Sequence, residues 1–248
     1  MKILICGAAG AMGRAVAAVA REYGHEPAAG VDKVSAELGF PVRADISEFD
    51  GKFDCVIDFS HPSLLKGIID YAVKTKTPAV IATTGISDEQ IEYMRKAAEQ
   101  VPIFFSYNMS FGVNLLAGLA KKAASILYDS FDIEIVEMHH NRKLDAPSGT
   151  AIMLADAISG ALPEEPVYVY DRHSRRQKRD KKEIGISSVR GGTIVGDHEV
   201  IFAGKDEVVT LKHTALSRDI FAVGAVKAAQ FLSAKENGMY SMDDMIGE

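Results

Sequence analysis

Cysteine is scarce in this chain, positive charge is in the minority, and no apolar run is long. The two cysteines, Cys6 and Cys55, stand in the apolar runs Ile3-Leu4-Ile5-Cys6 and Cys55-Val56-Ile57, where a reduced, buried thiol is the default and a disulfide is not expected. No stretch reaches the roughly 18 apolar residues of a membrane span. Met1 also leads straight into a strand-like run without a charged leader, so a soluble, cytoplasmic protein is expected. With 28 Lys and Arg against 34 Asp and Glu, the formal net charge is −6. A field of that sign favours neither nucleic acid nor an anionic membrane as partner, so an anionic ligand has to be attracted locally. No Cys/His cluster has metal-ligand spacing, and no metal is expected. At 248 residues, 47% hydrophobic and 25% charged, the chain is long enough for one large or two modest domains.

The densest chemistry lies in Glu137-Met138-His139-His140-Asn141-Arg142-Lys143-Leu144-Asp145-Ala146-Pro147-Ser148-Gly149-Thr150-Ala151. Ahead of it, Phe131 to Val136 carries β-branched and aromatic residues in partial alternation, which predicts a strand running to about Met138. The two histidines then fall at a strand end. Pro147 fits the first turn of a helix continuing through Thr150 to Ala155. Ser148, Gly149 and Thr150 are thereby predicted to present backbone N–H groups at a positive helix end, with Lys143 adding a full charge. A carboxylate or phosphate suits that combination, and histidine is the side chain best suited to move a proton near neutral pH.

At the N-terminus, Lys2 to Cys6 reads as a strand covered on both faces, broken by Gly7-Ala8-Ala9-Gly10-Ala11-Met12-Gly13 and followed by a helix over Ala15 to Glu22 that stops at Gly24. Strand, glycine turn and helix form the context in which such a fingerprint binds a dinucleotide, although the spacing is G-x-x-G-x-x-G. The next strand ends at Asp32, near the offset at which an acidic residue accepts the adenosine ribose hydroxyls. Asp32 favours NAD, and Lys33 is able to pair with a 2′-phosphate, so use of both cofactors is expected. Strand and helix patterns then alternate. Strands over Phe53–Phe59, Pro78–Ala82 and Pro102–Ser106 are separated by a helix over Leu64–Val73, capped by Ser60, and one opened by a Ser87–Gln90 capping box. A doubly wound parallel sheet follows, with Thr83, Thr84 and Asn108 beyond its strand ends, where the nicotinamide half binds. His61, beside Pro62, is read equally as a turn residue.

Beyond a helix over Phe111 to Tyr128 and the Pro147 helix, the pattern changes to strands over Val167–Tyr170, Ile184–Val189, Thr193–Phe202 and Glu207–His213, an open sheet in a second domain. A last helix, Asp219 to Ala234, is read as having no strand after it and as packing back on the first domain. The run Arg172 to Lys182 holds seven Lys and Arg in eleven residues. It lacks an aromatic residue for base stacking and is read as a solvated loop. His25, His173, His198 and His213 take surface or packing readings.

With the glycine turn, Asp32, Thr83-Thr84-Gly85, Asn108 to Asn114 and the motif E-x-H-H-x-x-K-x-D-A-P-S-G-T-A in this order, the chain resembles, end to end, the dihydrodipicolinate reductase family. Those enzymes reduce 4-hydroxy-tetrahydrodipicolinate in the diaminopimelate route to lysine. The resemblance implies a Rossmann-like domain (1–109 with 219–248) and a smaller α+β domain with an open mixed sheet (110–218) that binds a small dicarboxylate and builds a homotetramer. It implies His139 as proton donor, Lys143 as second catalytic residue, and His140, Ser148, Gly149 and Thr150 at the substrate. It implies NADH or NADPH held by Gly7, Ala8, Ala9, Gly10, Ala11, Met12, Asp32 and Lys33. The family's Gly-Thr-Thr loop falls on Ala82, Thr83 and Thr84, and its Ala-Ala-Asn-Phe segment on Ser106, Tyr107, Asn108 and Met109, so contacts there are expected from backbone rather than side chains. Two other classes are weighed. A dehydrogenase for an amino acid such as aspartate needs a different anion site, and a non-catalytic dinucleotide sensor needs neither His139 nor Lys143.

Overall fold

Lys2 to Cys6 has no polar side chain after Lys2, so it is stable only with both faces covered. In the computed structural model, which describes residues 1–247, it is strand β1 (Lys2–Cys6), in the middle of a sheet. Gly7 turns the chain at φ +78°, where a Cβ would meet the Phe59 carbonyl oxygen at 2.6 Å. Helix α1 (Ala11–Glu22) starts directly from Gly10, four residues before the predicted Ala15. It ends as predicted at Gly24, with His25 N–H donating to Ala20 (2.8 Å) and Gly24 N–H to Arg21 (3.0 Å), the paired bonds of a glycine-terminated helix.

The alternation continues as β2 (Glu26–Val31), β3 (Val42–Arg43), β4 (Cys55–Asp58), α2 (Leu65–Thr75), β5 (Ala79–Ile81), α3 (Asp88–Ala97) and β6 (Pro102–Phe105). The Ser87–Gln90 capping box is present. Ser60 does not cap the next helical segment. The cap is His61, whose Nδ1 accepts Ser63 N–H at 3.2 Å ahead of a single turn, Pro62–Leu64. The residue before a proline is driven to extended backbone, which is the conformation a cap needs.

Helix α4 (Phe111–Leu127), β7 (Asp132–His139), α5 (Gly149–Ser159), β8 (Val167–Val169), β9 (Glu183–Arg190), β10 (Gly196–Ala203) and β11 (Val208–Ala215) follow, then α6 (Asp219–Leu232), β12 (Gly238–Tyr240) and α7 (Met242–Ile246). Thr193 to Val195 are loop rather than strand. A strand does follow the last long helix: β12 pairs in parallel with β6. Three residues are too few to show a period, which is why the sequence pattern conceals it.

The chain divides into one unit of Met1–Phe111 with the residues from Arg218 onward, and a second of Gly112–Ser217. The first holds a seven-stranded sheet, ordered β12-β6-β5-β4-β1-β2-β3, whose pairings are all parallel. Alternate side chains of each strand point to opposite faces. Ile3, Ile5, Ile57 and Phe104 join Ala17 and Ala20 of α1 and Ala222, Ala225 and Ala229 of α6. Leu4, Val56, Ile81 and Ile103 join Ile69 of α2 and Met94 of α3. This is the Rossmann-like doubly wound arrangement. The second unit has a mixed sheet ordered β11-β10-β7-β9-β8, with β10 antiparallel to β7 and β11. Leu116, Ala120 and Ala124 of α4 and Leu154 and Ile158 of α5 cluster with its Ile133, Ile135, Val200 and Phe202.

The basic run is not simply solvated. Arg172 bridges Glu134 (2.6 Å) and Glu183 (2.7 Å), Arg179 pairs with Glu134 (3.1 Å) and Asp132 (3.0 Å), and Lys181 donates to the Phe131 carbonyl (2.5 Å). Most of the acidic partners lie on β7, some forty residues away in the chain, so local composition does not reveal them.

Helix α6 crosses the first sheet at Gly224, where a Cβ would sit 1.7 Å from the Met109 carbonyl oxygen. Gly224→Ala is expected to cost about 1–3 kcal/mol by forcing backbone apart. Gly67→Ala, on the exposed side of α2 with nothing within 4 Å of the new methyl, is expected to add about 0.5–1 kcal/mol. Urea denaturation of the two variants measures both, and shifts of the same sign would contradict the packing described.

Candidate active site

Because its strands are parallel, the first unit gathers the loops after β1, β2, β4, β5 and β6 at one edge, where doubly wound sheets take ligands. Gly10 is the N-cap of α1 and leaves the first amides of the helix facing outward from the turn. At Gly13 a Cβ would fall 2.2 Å from the Gly7 carbonyl oxygen, so the helix sits against the turn only because that side chain is missing. Asp32 binds back to this turn: one carboxylate oxygen accepts Ala9 N–H (2.9 Å) and the other Val34 N–H (3.0 Å). Lys33 beside it is exposed.

A second carboxylate, Asp58 at the end of β4, is fully buried. It accepts Ser60 N–H (2.9 Å), the Ser60 hydroxyl (2.5 Å) and the Thr83 hydroxyl (2.7 Å), and burial raises its pKa. The side chain of Thr83 is therefore spent on joining two loops, while Ala82 and Thr84 are more open. Asn108 is buried, its side-chain oxygen accepting Ser110 N–H (2.8 Å), and the Ser106 hydroxyl donates to the Asn108 carbonyl (3.0 Å). Met109 is core, whereas Tyr107 is 71% exposed.

In the second unit, period-two alternation along β7 puts Glu137 and His139 on the same, buried side as Ile133 and Ile135. Glu137 is completely buried, and both of its oxygens are engaged. One meets Nδ1 of His139 (2.6 Å) and Nη1 of Arg190 (2.8 Å); the other accepts Ser148 N–H (3.1 Å) and Nη2 of Arg190 (2.8 Å). Burial pushes this carboxyl up, but hydrogen bonds from Arg190, Ser188 and His139 outweigh it and hold the pKa at about 2. The register pairing His139 with Arg190 across β7 and β9 supplies the guanidinium. Arg190 also donates to the Asp145 carbonyl (2.6 Å).

Ser148 is the N-cap of α5, its hydroxyl accepting Ala151 N–H (3.1 Å), and Pro147 lies just outside the helix rather than in its first turn. The Ser148 amide is thus committed to Glu137, and the helix itself opens with Gly149 and Thr150. The Ser148 hydroxyl also contacts Nε2 of His198 at 3.0 Å. His198 is buried, with its ring edge-on to His139 at 5.2 Å. Burial and the neighbouring His139 lower its pKa to about 4, so it is neutral at neutral pH. Lys143 pairs with Asp145 at 2.7 Å, and His140 is half-buried beside it in the chain.

The residues that sequence reasoning passed over are Glu137, Arg190, His198 and Gly196. Glu137 was within reach, since two residues along a strand share a face. Arg190, His198 and Gly196 arrive from neighbouring strands. Among the described residues, no group of three or more His, Cys, Asp or Glu is placed to hold a metal ion, and no helix is long and apolar enough to cross a membrane.

A dinucleotide-type Rossmann unit joined to a mixed-sheet unit with a strand-end histidine and an anion-receptive helix start defines a two-domain oxidoreductase. The sequence profiles described as "Dihydrodipicolinate reductase, N-terminus" and "Dihydrodipicolinate reductase, C-terminus" match residues 1–109 and 112–246. The chain is 50% identical over 247 residues to the 4-hydroxy-tetrahydrodipicolinate reductase of Caldanaerobacter subterraneus subsp. tengcongensis, covering 99% of this chain and 98% of that one. It is 47% identical over 248 residues to the enzyme of the same name from Clostridium tetani, covering 99% and 97%. The fold is shared with a dipicolinate-bound dihydrodipicolinate reductase from Paenisporosarcina sp. TG-14, at a TM-score of 0.81 and 24% identity over 99% of both chains. The chain belongs to the dihydrodipicolinate reductase family, and its activity is 4-hydroxy-tetrahydrodipicolinate reduction.

His198 and Glu137 each make this unit less stable in acid. His198 titrates at about 4 when folded, against 6.5 for an unperturbed histidine, so between those values the unfolded state binds the extra proton. Its share of stability is full above pH 6.5 and falls by on the order of 3 kcal/mol as the pH drops to 4. Glu137, lowered from 4.5 to about 2, adds a further loss only below pH 4.5. Urea midpoints at pH 7 and pH 4.5 are expected to differ less in His198→Gln than in the unaltered chain; equal differences would remove His198 from the account.

Proposed function

We propose that His139 is the proton donor and Lys143 the second catalytic residue in an NADH- or NADPH-dependent reduction of 4-hydroxy-tetrahydrodipicolinate to tetrahydrodipicolinate. The observation that carries this reading is the single buried carboxylate of Glu137, which holds both the His139 imidazole (2.6 Å) and the Ser148 amide at the start of α5 (3.1 Å). The proton source and the anion-binding helix end therefore share one anchor.

The first unit suits a nicotinamide dinucleotide on its own geometry. Gly7 and Gly13 stand where a Cβ would collide with backbone, and Gly10 opens a helix N-terminus able to receive a pyrophosphate. On this reading Gly7, Ala8, Ala9, Gly10, Ala11 and Met12 hold the pyrophosphate, Asp32 the ribose hydroxyls, and Lys33 a 2′-phosphate. Backbone groups of Ala82 to Thr84 and Ser106 to Met109 line the nicotinamide end. The bound nicotinamide supplies the hydride.

In the second unit His139 gives a proton as negative charge develops on the ring formed by loss of water from the substrate. One hydride and one proton complete the reduction. His140, Lys143, Ser148, Gly149 and Thr150 hold the substrate carboxylates, the helix amides and the ammonium stabilising charge in place. The same reading takes residues 1–109 with 219–248 as the dinucleotide-binding domain and 110–218 as the substrate domain of a cytoplasmic homotetramer. Support for assembly through that domain comes from the sheet face opposite the helices, where Val136, Met138 and Ile201 stay partly exposed and Val189 is 43% exposed.

Nicotinamide absorbance, followed with freshly generated substrate and each cofactor in turn, tests the assignment. His139→Gln is expected to lower kcat by roughly 10²–10⁴, and a change below about threefold would end the proton-donor role. Lys33→Ala is expected to lower kcat/KM for NADPH by about 10-fold or more while sparing NADH, as loss of a charge-assisted hydrogen bond implies. Equal effects on the two cofactors would place the 2′-phosphate elsewhere.

A further inference from the structure

His139 has two ring nitrogens, and only one is able to serve the substrate. We propose that Glu137, clamped by Arg190, is the positioning residue that commits Nδ1 of His139 to the protein and leaves Nε2 as the nitrogen that transfers the proton. This rests on the reading of His139 given above and extends it to residues that do not touch the substrate.

The tautomer follows from donor counting. Arg190 is a donor at every nitrogen and grips both oxygens of Glu137, at 2.8 Å each, and the Ser148 amide donates to one of them at 3.1 Å. A carboxylate held by those donors is ionised and accepts only. The 2.6 Å contact to His139 then requires Nδ1 to carry the hydrogen. Nε2 is left to take a proton from solvent, giving an imidazolium whose other hydrogen stays against Glu137, and to pass that proton to the substrate, which returns the ring to its Nδ1–H form. The structure keeps its surroundings small, since a Cβ on Gly196 would stand 3.1 Å from Nε2, closer than to the ring carbons at 3.5 and 3.9 Å. Both ends of the ring are thereby specified, one by a filled contact and one by a missing side chain.

The alternative is that Glu137–Arg190 is only an ion pair joining β7 to β9. The two accounts separate in Glu137→Gln. Two fixed donors, Arg190 Nη2 and Ser148 N–H, converge on one position and only one, Arg190 Nη1, on the other. The amide oxygen therefore takes the first, and the amide NH₂ faces Nη1 and His139, whose ring is the partner able to change its hydrogen. Nδ1 then becomes an acceptor and the neutral ring carries its hydrogen on Nε2.

The experiment combines steady-state kinetics with ¹⁵N spectra of histidine-labelled enzyme, the His139 signals being identified by their loss in His139→Gln. The neutral ring is expected as the Nδ1–H tautomer in the unaltered enzyme and as Nε2–H in Glu137→Gln. The Gln variant is expected to lose roughly 10²–10⁴ in kcat with substrate and cofactor KM values within about threefold. Glu137→Asp, which stays acceptor-only, should keep the Nδ1–H tautomer and recover at least about tenfold of the lost rate. Gly196→Ala should lower kcat with the Nδ1–H tautomer intact.

An Nε2–H tautomer in the unaltered enzyme would overturn the proposal whether or not the Glu137 variants fold. A large His139→Gln effect beside a Glu137→Gln effect of less than about threefold would overturn it alone and leave the proton-donor reading standing. A small His139→Gln effect would remove that reading first. A KM-dominated loss in Glu137→Gln would reduce the pair to its structural role.

Discussion

A carboxylate taken fully out of water costs several kcal/mol unless donors surround it, and the second unit is laid out to surround Glu137. Its donors come from four places: the imidazole two residues on, the guanidinium of Arg190 on β9, the amide that starts α5, and the Ser188 side chain. Removing any one partner leaves the charge short of compensation, so strand register, helix start and ring orientation are set together. The loop between β7 and α5 is closed by the same contacts, since Arg190 also takes the Asp145 carbonyl at 2.6 Å.

The first unit handles its strand ends by similar chemistry. Asp32 takes two amides from the turns on either side of it, and Asp58 takes an amide and two hydroxyls, joining the loops after β4 and β5. In both units a carboxylate at or near the carboxyl end of a strand ties neighbouring loops together. The difference lies in what is left over: in the first unit mainly backbone amides and glycine-only space, suited to a phosphate backbone, and in the second an imidazole, an ammonium and a helix end, suited to an acidic substrate and a proton.

Much of the first unit was legible because buried parallel strands are continuous apolar runs and helix stops carry glycine, as at Lys2–Cys6 and Gly24. The errors have local causes. Strand β12 is three residues long, and the cap before Pro62 belongs to His61 because proline dictates the backbone of its predecessor. The chemistry of the second unit was legible only where it is contiguous. His139, Lys143 and the Ser148 helix start stand within one short stretch, whereas Arg190, His198 and Gly196 reach His139 or its neighbours through the pairing of β7 with β9 and β10, which no short-range pattern encodes. The basic run shows the same limit, since its acidic partners Asp132 and Glu134 belong to β7.

Arg190 and Lys143 are both cations paired with a carboxylate, yet they differ in what they are able to do, as Lys143 illustrates. Its partner Asp145 is 61% exposed, and the pair has none of the enclosure that surrounds Glu137 and Arg190. An exposed pair of this kind is worth about 0–1 kcal/mol, so exchanging Asp145 for a substrate carboxylate costs little and returns Asp145 to water. Arg190 has no such freedom: its fork is spent on a buried anion whose release would leave an uncompensated charge. On the proposed reading the division of labour follows from the burial of each partner carboxylate, with the cation on the enclosed Glu137 orienting the proton donor and the cation on the exposed Asp145 available to the substrate.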